Sequence, residues 1–183
     1  THFLYVDVTN HLPFISGYID QAVRKSASHE LKAELHTAAL KELYRVMAPE
    51  ATFIDIGFLF SNKQLRDEFA STSLKKDALA GLDTLVKNRH FPTKDDMYLF
   101  LQEAGFKKNN IHIAKEYETM YNIRTDVVAK TYFKENHDEH KTAYEKFCLE
   151  NCPGLVANNM LEKEDGYLHL RAPGAIIIAE KKE

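Results

Sequence analysis

Hydrophobic positions recur in two rhythms along this chain, one suited to strands and one to helices. Residues 3–8, FLYVDV, form a short apolar run of strand formers and predict a buried strand. Pro13, in the NHLPF that follows, forbids a continued ladder. From Ser28 to Met47 the apolar positions Leu31, Leu35, Ala39, Leu43, Val46 and Met47 recur at three and four, predicting a helix with one buried face. Pro49 is its expected stop, because proline lacks a donor and restricts the residue before it. Thr52 to Phe60 then predicts a strand, with Gly57 as a bulge or close-approach point.

Residues 63–88 read as helix, interrupted near Gly81. In Thr93 to Ala104, Thr93 is placed to cap, with Asp96 three residues on. Met97, Phe100, Leu101 and Ala104 make the stripe, and Gly105 is placed for a left-handed end. Ile111 to Tyr117 alternates as a strand, while residues 123–133 fit neither rhythm. Asn136 to Cys152 reads as helix, stopped by Pro153 and Gly154. YLHL (167–170), RAPG and AIIIAEK (175–181) predict strand, turn and strand.

Strands alternating with long helices imply an α/β fold. Its sheet is expected to be mostly parallel and covered on both faces, with one antiparallel strand at the end. The 183 residues suffice for one domain with a real core. A net charge of −3 argues against general nucleic-acid binding, though not against a local basic patch. No apolar run approaches the roughly 20 residues of a membrane helix, and the start shows no signal-peptide pattern. Two cysteines, Cys148 and Cys152, do not make a disulfide scaffold, so a reducing cytoplasm is the default expectation. The chain starts at Thr1 directly before an apolar run, which points to a fragment or processed product.

Three stretches together resemble the C-terminal half of the class I S-adenosylmethionine-dependent methyltransferases. NHLP (10–13) resembles the turn after that family's fourth strand. ALKELYRVMAPEATFIDIGF (39–58) resembles its next helix and fifth strand. FPTKDDMYLFLQEAGFKKNNIHI (91–113) resembles its following helix and sixth strand, and AIIIAEKK (175–182) its antiparallel seventh strand. The likeness covers roughly residues 1–118 and the last ten. A helical insert at about 119–166, within a single partial domain spanning 1–183, has no counterpart in it.

Two departures stand out. The family's Pro-Gly-Gly turn is Pro49-Glu50-Ala51, so a turn needing positive φ is not expected there. None of the 7 glycines lie close enough together to form the family's cofactor-binding loop. The resemblance therefore implies methyl transfer from S-adenosylmethionine to a small-molecule acceptor, with this chain supplying the acceptor-side half. A missing N-terminal half or a partner chain would complete the cofactor site. The exposed sheet edge left behind would favour a homodimer. The competing reading is a non-catalytic methyltransferase-like subunit that binds or stabilises a partner.

Ligands of open parallel sheets bind at the carboxyl ends of strands. With the first strand at 3–8, that rule points to Asp7 and Thr9 beside the cofactor. It points to Asn10 to orient an acceptor, and to His11 as general base, or to both as plain turn formers. Phe58 and Phe60 follow from the next strand. Residues 14–30 form an expected lid, with Phe14 and Tyr18 in an apolar acceptor wall; an ordinary packed helical excursion is the alternative. Asp55, mid-strand, faces either solvent or the pocket. His137, His140, Cys148 and Cys152 invite a zinc reading. On a continuous helix His137 and Cys152 lie roughly 22 Å apart, whereas zinc ligands all lie roughly 2.0–2.3 Å from one ion.

Overall fold

A computed structural model of the chain describes residues 6–82, 89–133 and 136–182. Among the described residues five strands are present: β1 (Ile19–Lys25), β2 (Met47–Phe58), β3 (Ile111–Arg124), β4 (Leu161–Glu164) and β5 (Tyr167–Glu180). The helices are α1 (Ala33–Val46), α2 (Lys63–Leu79), α3 (Lys94–Ala104), α4 (Thr125–Tyr132), α5 (His137–Asn151) and α6 (Pro153–Ala157). The sheet order is β1-β2-β5-β3. β1 and β2 are parallel, and β5 runs antiparallel to both β2 and β3. β1, β2 and β3 thus share one direction and β5 opposes them, giving a mixed α/β sheet with one reversed long strand.

Local chemistry explains most of the elements. Thr93 and Asp96 form a reciprocal capping box at the start of α3, and Gly105 takes φ 118° at its end. The side chain of Asn62 accepts from the amide of Leu65 and caps α2. Gly81, at φ 70°, lies just past the end of α2; the expected continuation over residues 83–88 lies outside the described residues.

Several expectations are corrected. Of the predicted strand at 3–8, residues 1–5 lie outside the described residues and 6–8 are not strand. The first strand among the described residues is β1, whose IDQAVRK is half polar and which pairs there only with β2. The helix expected from Ser28 begins at Ala33, after a 3-10 turn at Ser28–Glu30. It ends at Val46, before Pro49 is reached, and the strand follows at once. Pro49 and Glu50 lie in a bulge of β2, between the pairs Ile19–Met47 and Gln21–Thr52. Glu50 adopts φ 63° there, so the left-handed conformation persists without the glycine. Gly57 pairs regularly with Ala175 and is no bulge. It is a close-approach point, since an added Cβ would lie 3.1 Å from Ser28 Oγ.

RAPG is not a turn either. β5 runs unbroken through Pro173, where both flanking ladders are interrupted. β2 pairs only as far as Gly174, β4 begins at Leu170, and β3 shifts register between Tyr117 and Tyr121. A proline without a donor costs little in such a gap. The tight turn is Asp165-Gly166, with φ of 50° and 80°, between β4 and β5.

Among the described residues, only one face of the sheet is fully covered. Phe53 and Ile177 pack there with Leu40 of α1, Met97 and Leu101 of α3, and Phe106. The other face carries two cross-strand rows, Val23–Ile54–Ile178 and Ile56–Ile176. Val23 is 59% exposed, the isoleucines are half-buried, and all five belong to neither hydrophobic core. The expectation of a sheet covered on both faces fails at these residues. The second core lies beyond the carboxyl ends of the strands. There α2, α4, α5 and α6 pack Phe69, Val128, Tyr144, Cys148 and Leu155 against Leu168 and Leu170 of β5.

His36 of α1 sits in the first core with no exposure, stacked on Phe100 at 4.8 Å. Neither ring nitrogen has a well-formed hydrogen bond. Burial first, then Arg24 and His90, push its pKa down to about 3, with the Leu31 backbone and Asp96 opposing. Its folded pKa lies below the unfolded value, so the unfolded chain binds the extra proton between about 6.5 and 3. Stability is therefore lost as pH falls through that window, by about 2 kcal/mol from this residue between pH 7 and pH 5. Urea unfolding at those two pH values should show a loss smaller by that amount in His36→Leu. An unchanged loss in the variant would contradict this assignment.

Candidate active site

The carboxyl ends of β1 and β2 open onto a pocket of about 400 Å³. Its position follows from how each strand ends. After Lys25 the chain turns at Ser26, which adopts φ 51°. The Ser26 amide donates to Ile56 O at 2.7 Å, and its hydroxyl lies 2.7 Å from the Tyr121 hydroxyl. The 3-10 turn that follows carries His29 and Glu30 to the pocket wall. β2 contributes Phe58, which stacks on Tyr121 at 4.2 Å. From α2 come Phe69, Ser73 and Lys76; from the segment before α3, Arg89 and Phe91; and from α4, Val127, Thr131 and Tyr132.

His29 is the histidine of this wall. Its ring meets the edge of Phe58 at 4.9 Å and stacks on Phe91 at 5.7 Å. Nε2 lies 2.9 Å from Glu30 Oε1, which fixes the tautomer with the proton on Nε2. Nδ1 is then an acceptor, buried and with no hydrogen-bond partner among the described residues. Burial lowers the pKa of His29; the Arg89 charge adds to this and Glu30 opposes it. The ring is held neutral at pH 7.

In the same lining, Lys76 Nζ lies 2.6 Å from Asp77 Oδ1 and 4.0 Å above the Tyr132 ring. The Arg89 guanidinium approaches the same carboxylate at 3.9 Å.

The residues singled out from the sequence fall in different places. Phe58 lines the pocket, whereas Phe60 is fully buried behind it in the second core. Asp7 accepts from the Thr9 amide, the Thr9 hydroxyl and Asn10 Nδ2 in an exposed turn. These hydrogen bonds from Thr9 hold the Asp7 carboxyl below its usual value. His11 lies 3.1 Å from Glu42, near the C-terminus of α1 and so toward the amino ends of the strands. Glu42 is pulled down to about 2, chiefly by its hydrogen bond from Arg45. Phe14 and Tyr18 stack at 6.0 Å, and the Tyr18 amide donates to Val46 O, at the amino end of β2. The expectation for all six rested on a strand at 3–8. With β1 at Ile19–Lys25, the carboxyl-edge position passes to Ser26–Glu30. Of the expected lid at 14–30 only His29 and Glu30 line the pocket, and α4, within the 119–166 stretch, lines it with Val127, Val128, Thr131 and Tyr132. Asp55 faces neither solvent nor the pocket. It is paired with Arg24 at 2.9 and 2.7 Å across the β1–β2 ladder. Among the described residues no three His, Cys, Asp or Glu side chains cluster as a metal site would require.

Sequence reasoning missed His29, Lys76, Arg89 and Tyr132. For His29 the stretch YIDQAVRKSASHE offered only apolar and polar residues in twos followed by small polar ones, with no clean alternation.

No protein-family model and no curated protein matches the sequence. Solved structures do match the fold. A protein from Bacillus halodurans, described as a methyltransferase, superimposes with TM-score 0.75 at 15% identity, over 99% of this chain and 78% of its own. The YcgJ protein of Bacillus subtilis gives 0.74 at 10%, over 96% and 69%. A Haemonchus contortus phosphoethanolamine N-methyltransferase, solved with S-adenosylhomocysteine, gives 0.51 at 10%, over 97% and 36%. The chain has the Rossmann-like fold of the class I S-adenosylmethionine-dependent methyltransferases.

Proposed function

We propose that this chain supplies the acceptor side of an S-adenosylmethionine-dependent methyltransferase acting on a small molecule. The observation that carries this reading is the pocket at the carboxyl edge, where His29, the end of β2 and the α4 cover converge. In such a reaction S-adenosylmethionine supplies a methyl group on a positively charged sulfur, which keeps the bonding pair when the acceptor's lone pair takes the methyl carbon. The acceptor's proton must then leave. Neutral His29 takes it at Nδ1, and Glu30 stabilises the imidazolium that forms. Phe58, Phe69 and Phe91 hold the acceptor in a dry, fixed position, where orientation alone lowers the barrier.

The described residues do not by themselves form the cofactor's glycine-rich cradle. Gly57 and Gly174 are used in packing: a Cβ on Gly174 would lie 2.5 Å from Met120 Sδ and 2.6 Å from Gly57 O. β1 pairs only with β2 among the described strands, and an apolar groove of about 430 Å³ runs beside it, lined by Val23, Leu40 and Phe53. A segment outside residues 1–183, on the same polypeptide or on a partner chain, completes the cofactor site at this edge and covers the Ile54–Ile178 face. A second copy of the chain meeting the same edge is the alternative occupant.

The test uses S-adenosylmethionine carrying a labelled methyl group. The chain, together with its completing segment, is incubated with a panel of hydroxyl- and amino-bearing small molecules. Label is expected in a small molecule, with S-adenosylhomocysteine released in equal amount. Label found only in protein or nucleic acid would contradict the small-molecule reading.

A further inference from the structure

One cation of the pocket lining, Arg89, has no carboxylate within hydrogen-bond distance among the described residues. Asp77 is 1% exposed, and two cations share its carboxylate. Lys76 is satisfied twice, at 2.6 Å from Oδ1 and at 4.0 Å over the Tyr132 ring. Arg89 is not. Its Nε stands 3.9 Å from Oδ2, too far for a hydrogen bond, and is buried without a partner among the described residues. Lys76, Asp77 and Arg89 together hold one positive charge in excess, and the other carboxylate of the lining, Glu30, lies against His29. Around these side chains the lining is largely aromatic and aliphatic, from Phe58, Phe69 and Phe91 to Val127 and Val128. The Arg89 side chain is 19% exposed, and its planar fork matches a carboxylate.

We infer that the small molecule held in this pocket is an aromatic carboxylic acid, its carboxylate bound by Arg89 and its ring packed among Phe58, Phe69 and Phe91. A monoanion fits because Arg89 is the lining cation left without a close carboxylate among the described residues. A flat ring fits because stacking and edge contacts line the cavity. This assignment rests on the methyl-transfer reading only for the fate of the ligand; the anion site stands on the charge and lining of the pocket. If both hold, a hydroxyl or amino group elsewhere on the ring is the atom presented to His29.

The test is a calorimetric or NMR titration of the protein, without cofactor, using 4-hydroxybenzoate and its neutral counterpart 4-hydroxybenzamide as probes. The acid is expected to bind about tenfold to a hundredfold more tightly, as charge-assisted hydrogen bonds do. Arg89→Gln should erase that preference, and Arg89→Lys should keep part of it, since the charge remains and the fork is lost. Equal binding of acid and amide, no binding of the acid at millimolar concentration, or an undiminished preference in Arg89→Gln would each overturn the inference. The two readings fail separately. Acid binding through Arg89 with no methyl transfer to any acid supports the anion site and sinks the methyl-transfer reading. Efficient methylation of neutral acceptors alone does the reverse.

Discussion

Replacing His29 by glutamine is expected to lower turnover by about 10²–10⁴, the usual worth of a positioned general base. Glutamine keeps a polar group of similar reach in the wall but cannot take up a proton. The substrate KM should change little, because the acceptor's ring and charge are held by other residues. The pH profile supplies an independent check. Burial and Arg89 depress the His29 pKa, so the base remains neutral as pH falls past its ordinary value near 6.5. Wild-type activity should therefore hold through that point and decline only at lower pH, and this acid limb should vanish in His29→Gln. A variant within about threefold of wild type, with the limb intact, would remove His29 from the chemistry and leave only positioning and desolvation.

Asp55→Ala is expected to destabilise the fold by about 3–5 kcal/mol. The Asp55 side chain is 5% exposed and the Arg24 side chain 15%, and the two are joined at 2.9 and 2.7 Å. Removing the carboxylate leaves the guanidinium buried and unpaired. The penalty is mostly that of the orphaned charge, not the worth of the pair. Replacing both partners together, as Arg24→Met with Asp55→Leu, should accordingly cost about 1 kcal/mol or less. Urea unfolding of the three proteins distinguishes these cases. A single-variant cost below about 1 kcal/mol would show the pair to be solvated. The pair also matters for the site. It joins β1 to β2 four residues before the 3-10 turn that carries His29, so the single variant should also loosen that turn.

What the sequence revealed was what neighbouring residues decide among themselves. The Thr93–Asp96 box, the apolar stripe behind it and Gly105 lie within one stretch, and α3 follows them closely. β1 escaped notice because an edge strand beside an open groove needs neither a continuous apolar run nor a clean alternation. The more apolar FLYVDV, next to a proline turn, drew the strand assignment instead. RAPG failed for a related reason. Proline and glycine signal a turn locally, but Pro173 occupies the gap where β2 gives way to β4, which only the tertiary pairing reveals. The Asp165-Gly166 hairpin signal was present and was overshadowed by RAPG. The pocket had no local signature at all. His29, Lys76, Arg89 and Tyr132 come from four separate parts of the chain and meet only because the 119–166 stretch folds over the carboxyl edge.

The central claim is that this chain is the acceptor side of a site whose cofactor side lies outside residues 1–183. Calorimetric titration with S-adenosylhomocysteine tests it most directly, on the chain alone and on the chain joined to any segment encoded ahead of Thr1. The account predicts no tight binding by residues 1–183 and micromolar binding once the β1 edge is completed. Micromolar binding by residues 1–183 alone would contradict it.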